Sequence, residues 1–174
     1  MRLSFQTDFA LRTLMFLAAK DGHHPIAAIA DAYGISKNHL MKVAQRLVAE
    51  GFVESVRGRG GGLKLARPAA MLRVGTVVRI MEDTGTFVEC FNPAVNKCVV
   101  TPVCSLQHVL SEALEAFARH LDQFTLADLV PNPELYRQRL DATSLKFSEF
   151  VSAAASSSAL SPLTAPSLPS GKDN

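Results

Sequence analysis

The stretch from Pro25 to Leu47 constrains the fold more than any other part of the chain. Ile26, Ile29 and Ala30 recur at helical spacing behind Pro25, which suits a first helical turn, and the run stops at Gly34. A second apolar stripe of Leu40, Val43, Ala44 and Leu47 then begins, with Ser36 placed to cap it and Ile35 placed to pack on Leu40 as a hydrophobic staple. Two short helices joined by a tight glycine turn outline a helix-turn-helix. Burying the second stripe sends Asn38, Lys42, Gln45 and Arg46 to the opposite face, and no acid interrupts that face before Glu50.

The flanking segments extend the pattern. A first helix is expected from about Phe5 to Lys20, capped by Ser4, with Leu11, Leu14, Met15 and Ala18 on one face and Asp21-Gly22 at its end. After Gly51, the strands Phe52 to Val56 and Leu63 to Ala66 enclose Arg57-Gly58-Arg59-Gly60-Gly61-Gly62, a hairpin with a basic, glycine-rich tip that Arg67-Pro68 closes. A helix with Val74, Val77, Val78 and Met81 inward follows. Three helices and a basic hairpin in that order predict a winged helix-turn-helix over residues 1–82.

A helix fits the major groove of B-DNA, where amide and basic side chains read base edges, and an arginine at a hairpin tip suits the backbone or the minor groove. The candidate DNA contacts are Ser36, Lys37, Asn38, His39, Lys42, Gln45, Arg46, Arg57, Arg59 and Lys64. For a single amphipathic helix, a solvated basic face is the commoner explanation. The second basic element in the expected position favours double-stranded DNA. No nucleophile–base pairing or phosphate-cradling motif stands out, and the run of glycines sits in a hairpin rather than opening a helix, so no catalytic activity is expected.

The net charge of +2 over 174 residues identifies no partner, and 48% hydrophobic residues are ample for a core. No apolar run follows a basic start, and no stretch approaches bilayer-spanning length, so a cytoplasmic protein without membrane contact is expected. In that reducing compartment three cysteines, an odd number, argue against a disulfide framework.

All three cysteines lie where helical periodicity fails, in the loop 83–104. A structureless loop of that length inside a compact domain points to a local function. Cys90, Cys98 and Cys104 are separated by seven and five residues, unlike the close ligand pairs and four ligands of structural zinc, and they share no apolar face. Three thiols in an irregular loop suit an iron–sulfur cluster with one non-cysteine position. Spacing leaves that position open among His108, Asp8 and Glu89.

Residues 105–149 are expected to form a long helix and short C-terminal helices. Val103, Leu106, Leu110, Ala113 and Phe117 give a helix–helix seam, with the long helix ending near Phe124. Thr125 and Asp128 form a capping box for a short helix that Pro131 cuts off, and the Ser/Ala/Pro-rich tail 150–174 is expected to be disordered.

Four segments together resemble the IscR/NsrR family of winged-helix iron–sulfur regulators, nearest to its nitric-oxide-sensitive NsrR-type repressors. They are Thr7 to Arg12, Tyr33 to Leu40, Val56 to Leu63, and Phe124 to Val130 after the three cysteines, and the resemblance spans about Met1 to Tyr136. It implies a mainly α, homodimeric winged-helix repressor whose long C-terminal helix crosses its partner's. One cluster per subunit, 2Fe–2S or 4Fe–4S, would be held by Cys90, Cys98 and Cys104, with Asp8 matching a fourth ligand given to the partner's cluster. Nitric oxide would be the signal, and detoxification genes the target. Two positions depart from the pattern: the family usually has about five residues between the first two cysteines where this chain has seven, and Gln107 stands where IscR has histidine, with His108 one residue later. A regulator of the same fold sensing cluster supply, iron or redox state is the alternative. An electron carrier would leave the basic wing without a purpose.

Overall fold

The computed structural model describes residues 3–83 and 87–142; the expected tail 150–174 lies outside the described residues. Its helices are α1 (Phe5–Ala19), α2 (Ile26–Tyr33), α3 (Lys37–Ala49), α4 (Val74–Met81), α5 (Ser105–Leu121), α6 (Leu126–Leu129) and α7 (133–142). Strands β1 (Val53–Val56) and β2 (Gly62–Leu65) pair antiparallel between α3 and α4. The protein is mainly helical with a two-stranded wing, as the periodicity predicts.

Helix α1 is the centre of the core, packing against α3, α4, α6 and β2. It therefore buries more than the one face expected: Ala10, Thr13, Leu14, Phe16, Leu17 and Ala19 are buried, whereas Leu11, Met15 and Ala18 are only partly so. A helix covered on several sides loses its amphipathic signature. The buried Thr13 hydroxyl donates to the Phe9 carbonyl at 2.7 Å, which satisfies it within the helix. Ile29 of α2 and Leu40, Val43, Ala44 and Leu47 of α3 complete the core under the turn at Gly34, whose backbone is left-handed at φ 62°. Burial of each of these Ile, Leu and Val side chains contributes about 1.5–3 kcal/mol.

The wing is locked to the helices by backbone pairing. His24 and Leu63 exchange N–H···O bonds of 2.9 and 2.8 Å, so β2 is held against the α1–α2 connection. Gly62 makes this approach possible: its φ is 152°, and a Cβ there would run into the backbone of His24 and Pro25.

Helices α4 and α5 approach closely at Gly75, where a Cβ would meet the Ala118 carbonyl and the Asp122 carboxylate. Beside it Arg79 bridges to Asp122 at 2.6 Å and Glu115 at 3.2 Å. The Arg79 guanidinium, hydrogen-bonded to Asp122, holds that carboxyl below its ordinary range. Residues 72–74 pair with 124–126 through Val74 N–H to Phe124 and Leu126 N–H to Leu72. α5 stops at Leu121, short of the expected Phe124, because the chain turns there to make this pairing. The Thr125–Asp128 capping box opens α6 as expected.

Helix α7 folds back on the N-terminal helices. Leu140 is buried, Arg137 donates to the Ala19 carbonyl at 2.9 Å, Lys20 pairs with Asp141 at 2.7 Å, and the Tyr33 and Tyr136 hydroxyls lie 3.1 Å apart. Burial, reinforced by the Tyr136 hydroxyl, raises the Tyr33 phenol well above its ordinary range.

Candidate nucleic-acid interface and cysteine segment

Burial of the Leu40, Val43, Ala44 and Leu47 stripe leaves Lys37, Asn38, His39, Lys42 and Gln45 exposed along the other side of α3. The first turn holds no acid. Ser36 occupies the N-cap position, but its side chain makes no capping bond, so the positive end of the helix carries neither acid nor cap. Such a helix end attracts anions.

Arg46 departs from the expected exposed face. It is half-buried, and its guanidinium donates to the Met81 carbonyl at 3.1 Å and to the Ile80 carbonyl. The physical reason lies in α4, whose last carbonyls have no partner within their own helix. Helical spacing placed Arg46 on the face opposite the apolar stripe and gave no sign of those acceptors 34 and 35 residues away.

In the wing, Val53 pairs with Leu65, Glu54 with Lys64, Ser55 with Leu63 and Val56 with Gly62. Lys64, expected as a phosphate contact, directly faces Glu54 and forms a 2.9 Å ion pair with it. Arg57 and Arg59 at the tip are exposed. The glycines beside them serve the hairpin's own geometry: a Cβ on Gly61 would collide with the Val56 carbonyl. The result is a bare backbone loop that carries two guanidiniums away from the body.

The cysteine segment joins the end of α4 to the start of α5. Cys90 lies in a single helical turn (Glu89–Phe91), and Cys104 is the N-cap residue of α5. Gln107, in the first turn of α5, donates to the Cys90 carbonyl at 2.8 Å, which ties the first cysteine's turn to the helix that the last one opens. Around Cys98, Asn96 accepts from its N–H at 3.0 Å, and the Thr101 hydroxyl donates to its carbonyl at 2.9 Å. All three thiols are free; Cys98 is exposed and the other two half-exposed. Among the described residues, no three His, Cys, Asp or Glu side chains are gathered as a metal ion requires.

The candidate fourth ligands point elsewhere within one chain. The Asp8 carboxylate pairs with Arg12 at 2.9 Å, His108 approaches Glu112 at 3.4 Å, and Glu89 accepts from the Lys97 N–H. Glu82, which sequence reasoning missed, accepts from the Ser4 N–H at 2.7 Å. A contact spanning 78 residues leaves no local signal.

No helix among the described residues is long and apolar enough to cross a membrane. Residues 3–132 match the model of the Rrf2 family, described as an iron-dependent transcriptional regulator. The chain is 46% identical over 142 residues to the HTH-type transcriptional regulator NsrR of Bacillus licheniformis, covering 80% of this chain and 99% of that one. It is 51% identical over 136 residues to the protein of the same name from Bacillus subtilis, covering 77% and 93%. Among solved structures it resembles T. potens IscR, with a TM-score of 0.59 at 25% identity, covering 78% of this chain and 90% of that one.

Proposed function

The chain belongs to the Rrf2 family of iron-dependent transcriptional regulators, and from that premise we propose that it is a homodimeric repressor that senses nitric oxide through an iron–sulfur cluster. Its relatives are regulators rather than enzymes, and so is this chain. The observation that carries the proposal is physical continuity. An exposed basic and amide helix face and a basic wing tip are carried on α3 and β2, which pack on the same core as Met81 of α4, the helix from which the segment with three free thiols departs.

Lys37, Asn38, His39, Lys42 and Gln45 of α3 read an operator in the major groove, with Ser36 at the uncapped helix end near phosphate. Arg57 and Arg59 engage the backbone or the minor groove. Lys64 contributes less, because Glu54 already holds its ammonium, and Arg46 makes no operator contact, its guanidinium being held by the α4 carbonyls.

The donor set fits a cluster: three free thiols lie on one irregular segment, and Gln107 ties the Cys90 backbone to the first turn of α5, the helix whose N-cap residue is Cys104. A cluster bound there would be held by Cys90, Cys98 and Cys104, whose thiols would have to draw together, and it would supply iron reactive toward nitric oxide. Asp8 would serve the partner subunit's cluster in exchange for its ion pair with Arg12. The dimer forms along α5, where Leu106 and Val109, and Val103 just before the helix, are exposed in the single chain at 60, 55 and 84%. Paired winged helices read half-sites about 34 Å apart, so a small shift of either α3 weakens binding. The cytoplasm is the compartment in which such a regulator works.

Anaerobic purification with absorption spectra and iron and sulfide analysis tests the assignment. Wild type is expected to carry a cluster, and Cys90→Ser, Cys98→Ser and Cys104→Ser are each expected to lose it. A colourless wild-type protein without sulfide would exclude the reading.

A further inference from the structure

The recognition helix, the first helix and the cysteine segment meet at the last turn of α4. Arg46 of α3 donates with both terminal guanidinium nitrogens to the carbonyls of Ile80 and Met81. One residue on, Glu82 accepts from the backbone N–H of Ser4, the residue whose hydroxyl caps α1. Met81 between them is 2% exposed and belongs to the core. Past Glu82 the chain enters the segment that carries the cysteines.

We propose that the turn Ile80 to Glu82 is the joint through which the cysteine segment sets the position of the recognition helix, with Arg46 and Glu82 as its positioning residues. This rests on the functional reading above and deepens it. The orphan carbonyls at the end of α4 offer two acceptors side by side, and a planar guanidinium grips both at once, which fixes direction as well as distance. A pull on Glu82 therefore reaches α3 through Arg46 and α1 through Ser4. Neither residue touches a thiol in the structure, and Arg46 holds its charge away from the exposed face of α3. Were Arg46 only a brace, its loss would lower stability and leave the response to the cluster intact.

The test compares DNA affinity of the iron-loaded and iron-free dimer, using the tightest-binding duplex that the loaded wild type selects from a random-sequence pool. Two-site coupling of this kind amounts to about 5–150-fold in wild type. Arg46→Ala is expected to reduce the ratio of the two affinities to below about threefold. Arg46→Lys, which keeps the charge but lacks the planar fork that fixes direction, should give an intermediate ratio. Glu82→Ala, on the other side of the joint, should reduce the ratio without altering α3. All three should retain the wild-type dependence of affinity on salt, because no phosphate contact is lost. Amide hydrogen exchange in α3 should differ between loaded and iron-free wild type and be equal in Arg46→Ala. If Arg46→Ala lowers the salt slope by about one and keeps the wild-type ratio, Arg46 is a DNA contact and the joint is overturned. Unchanged ratios in Glu82→Ala also overturn it. Equal affinities in loaded and iron-free wild type overturn the functional reading itself.

Discussion

Replacing Gly75 by Ala tests how the two ends of the cysteine segment are held. That segment leaves α4 and returns at α5, so the α4–α5 contact sets the span it must bridge. A Cβ at residue 75 would stand inside van der Waals contact of the Ala118 carbonyl and the Asp122 carboxylate. The carboxylate is held by Arg79 at 2.6 Å, and the carbonyl is backbone, so neither yields without moving a helix. Overpacking of this kind costs about 1–3 kcal/mol. Alanine's better helix propensity offsets up to about 1 kcal/mol in a helix interior, and less near the helix start. The net expectation is a loss of about 1–2 kcal/mol, which at this chain length lowers Tm by about 2–8 °C. Thermal unfolding followed by circular dichroism measures it. Combining Gly75→Ala with Asp122→Ala should cost less than the sum of the two, because one clashing group is gone. A Tm equal to or above that of wild type would refute the described α4–α5 packing.

Other outcomes are equally specific. The Asp122 carboxyl is held below its ordinary range by Arg79, so its stabilisation is present above the unfolded value of about 3.9 and is lost as pH falls through the lower folded value; acid titrations of Asp122→Asn should show a flatter loss of stability below about pH 4. Lys42→Ala and Arg59→Ala should each weaken DNA binding and reduce the salt slope by about one if they meet phosphate; Lys64→Ala should change it less, since Glu54 already holds that ammonium. Leu47→Ala, at a fully buried site, should cost about 2–5 kcal/mol by chemical denaturation.

The parts of the fold legible in the sequence were those written within a few residues. The stripe on α3, the stop at Gly34 and the Thr125–Asp128 box are local patterns, and each forms as read. The breadth of α1's burial was not legible, because it depends on α3, α4, α6 and β2 arriving from different parts of the chain. Arg46 shows the same limit at the site. Its place in the α3 pattern predicted exposure, and only the unmet carbonyls of α4 turn it inward. The cysteines were legible as sharing one irregular segment, yet spacing says nothing of how their thiols lie, and among the described residues no three metal-ligating side chains are gathered.

The central claim is that one chain joins DNA reading to a cluster that nitric oxide modifies. Titrating the selected duplex with anaerobic, cluster-loaded dimer before and after stoichiometric nitric oxide tests it most directly. Tight binding is expected before and a loss of at least about tenfold after, a change of about 1.4 kcal/mol. Equal affinity before and after, with the cluster shown spectroscopically to have reacted, would contradict it.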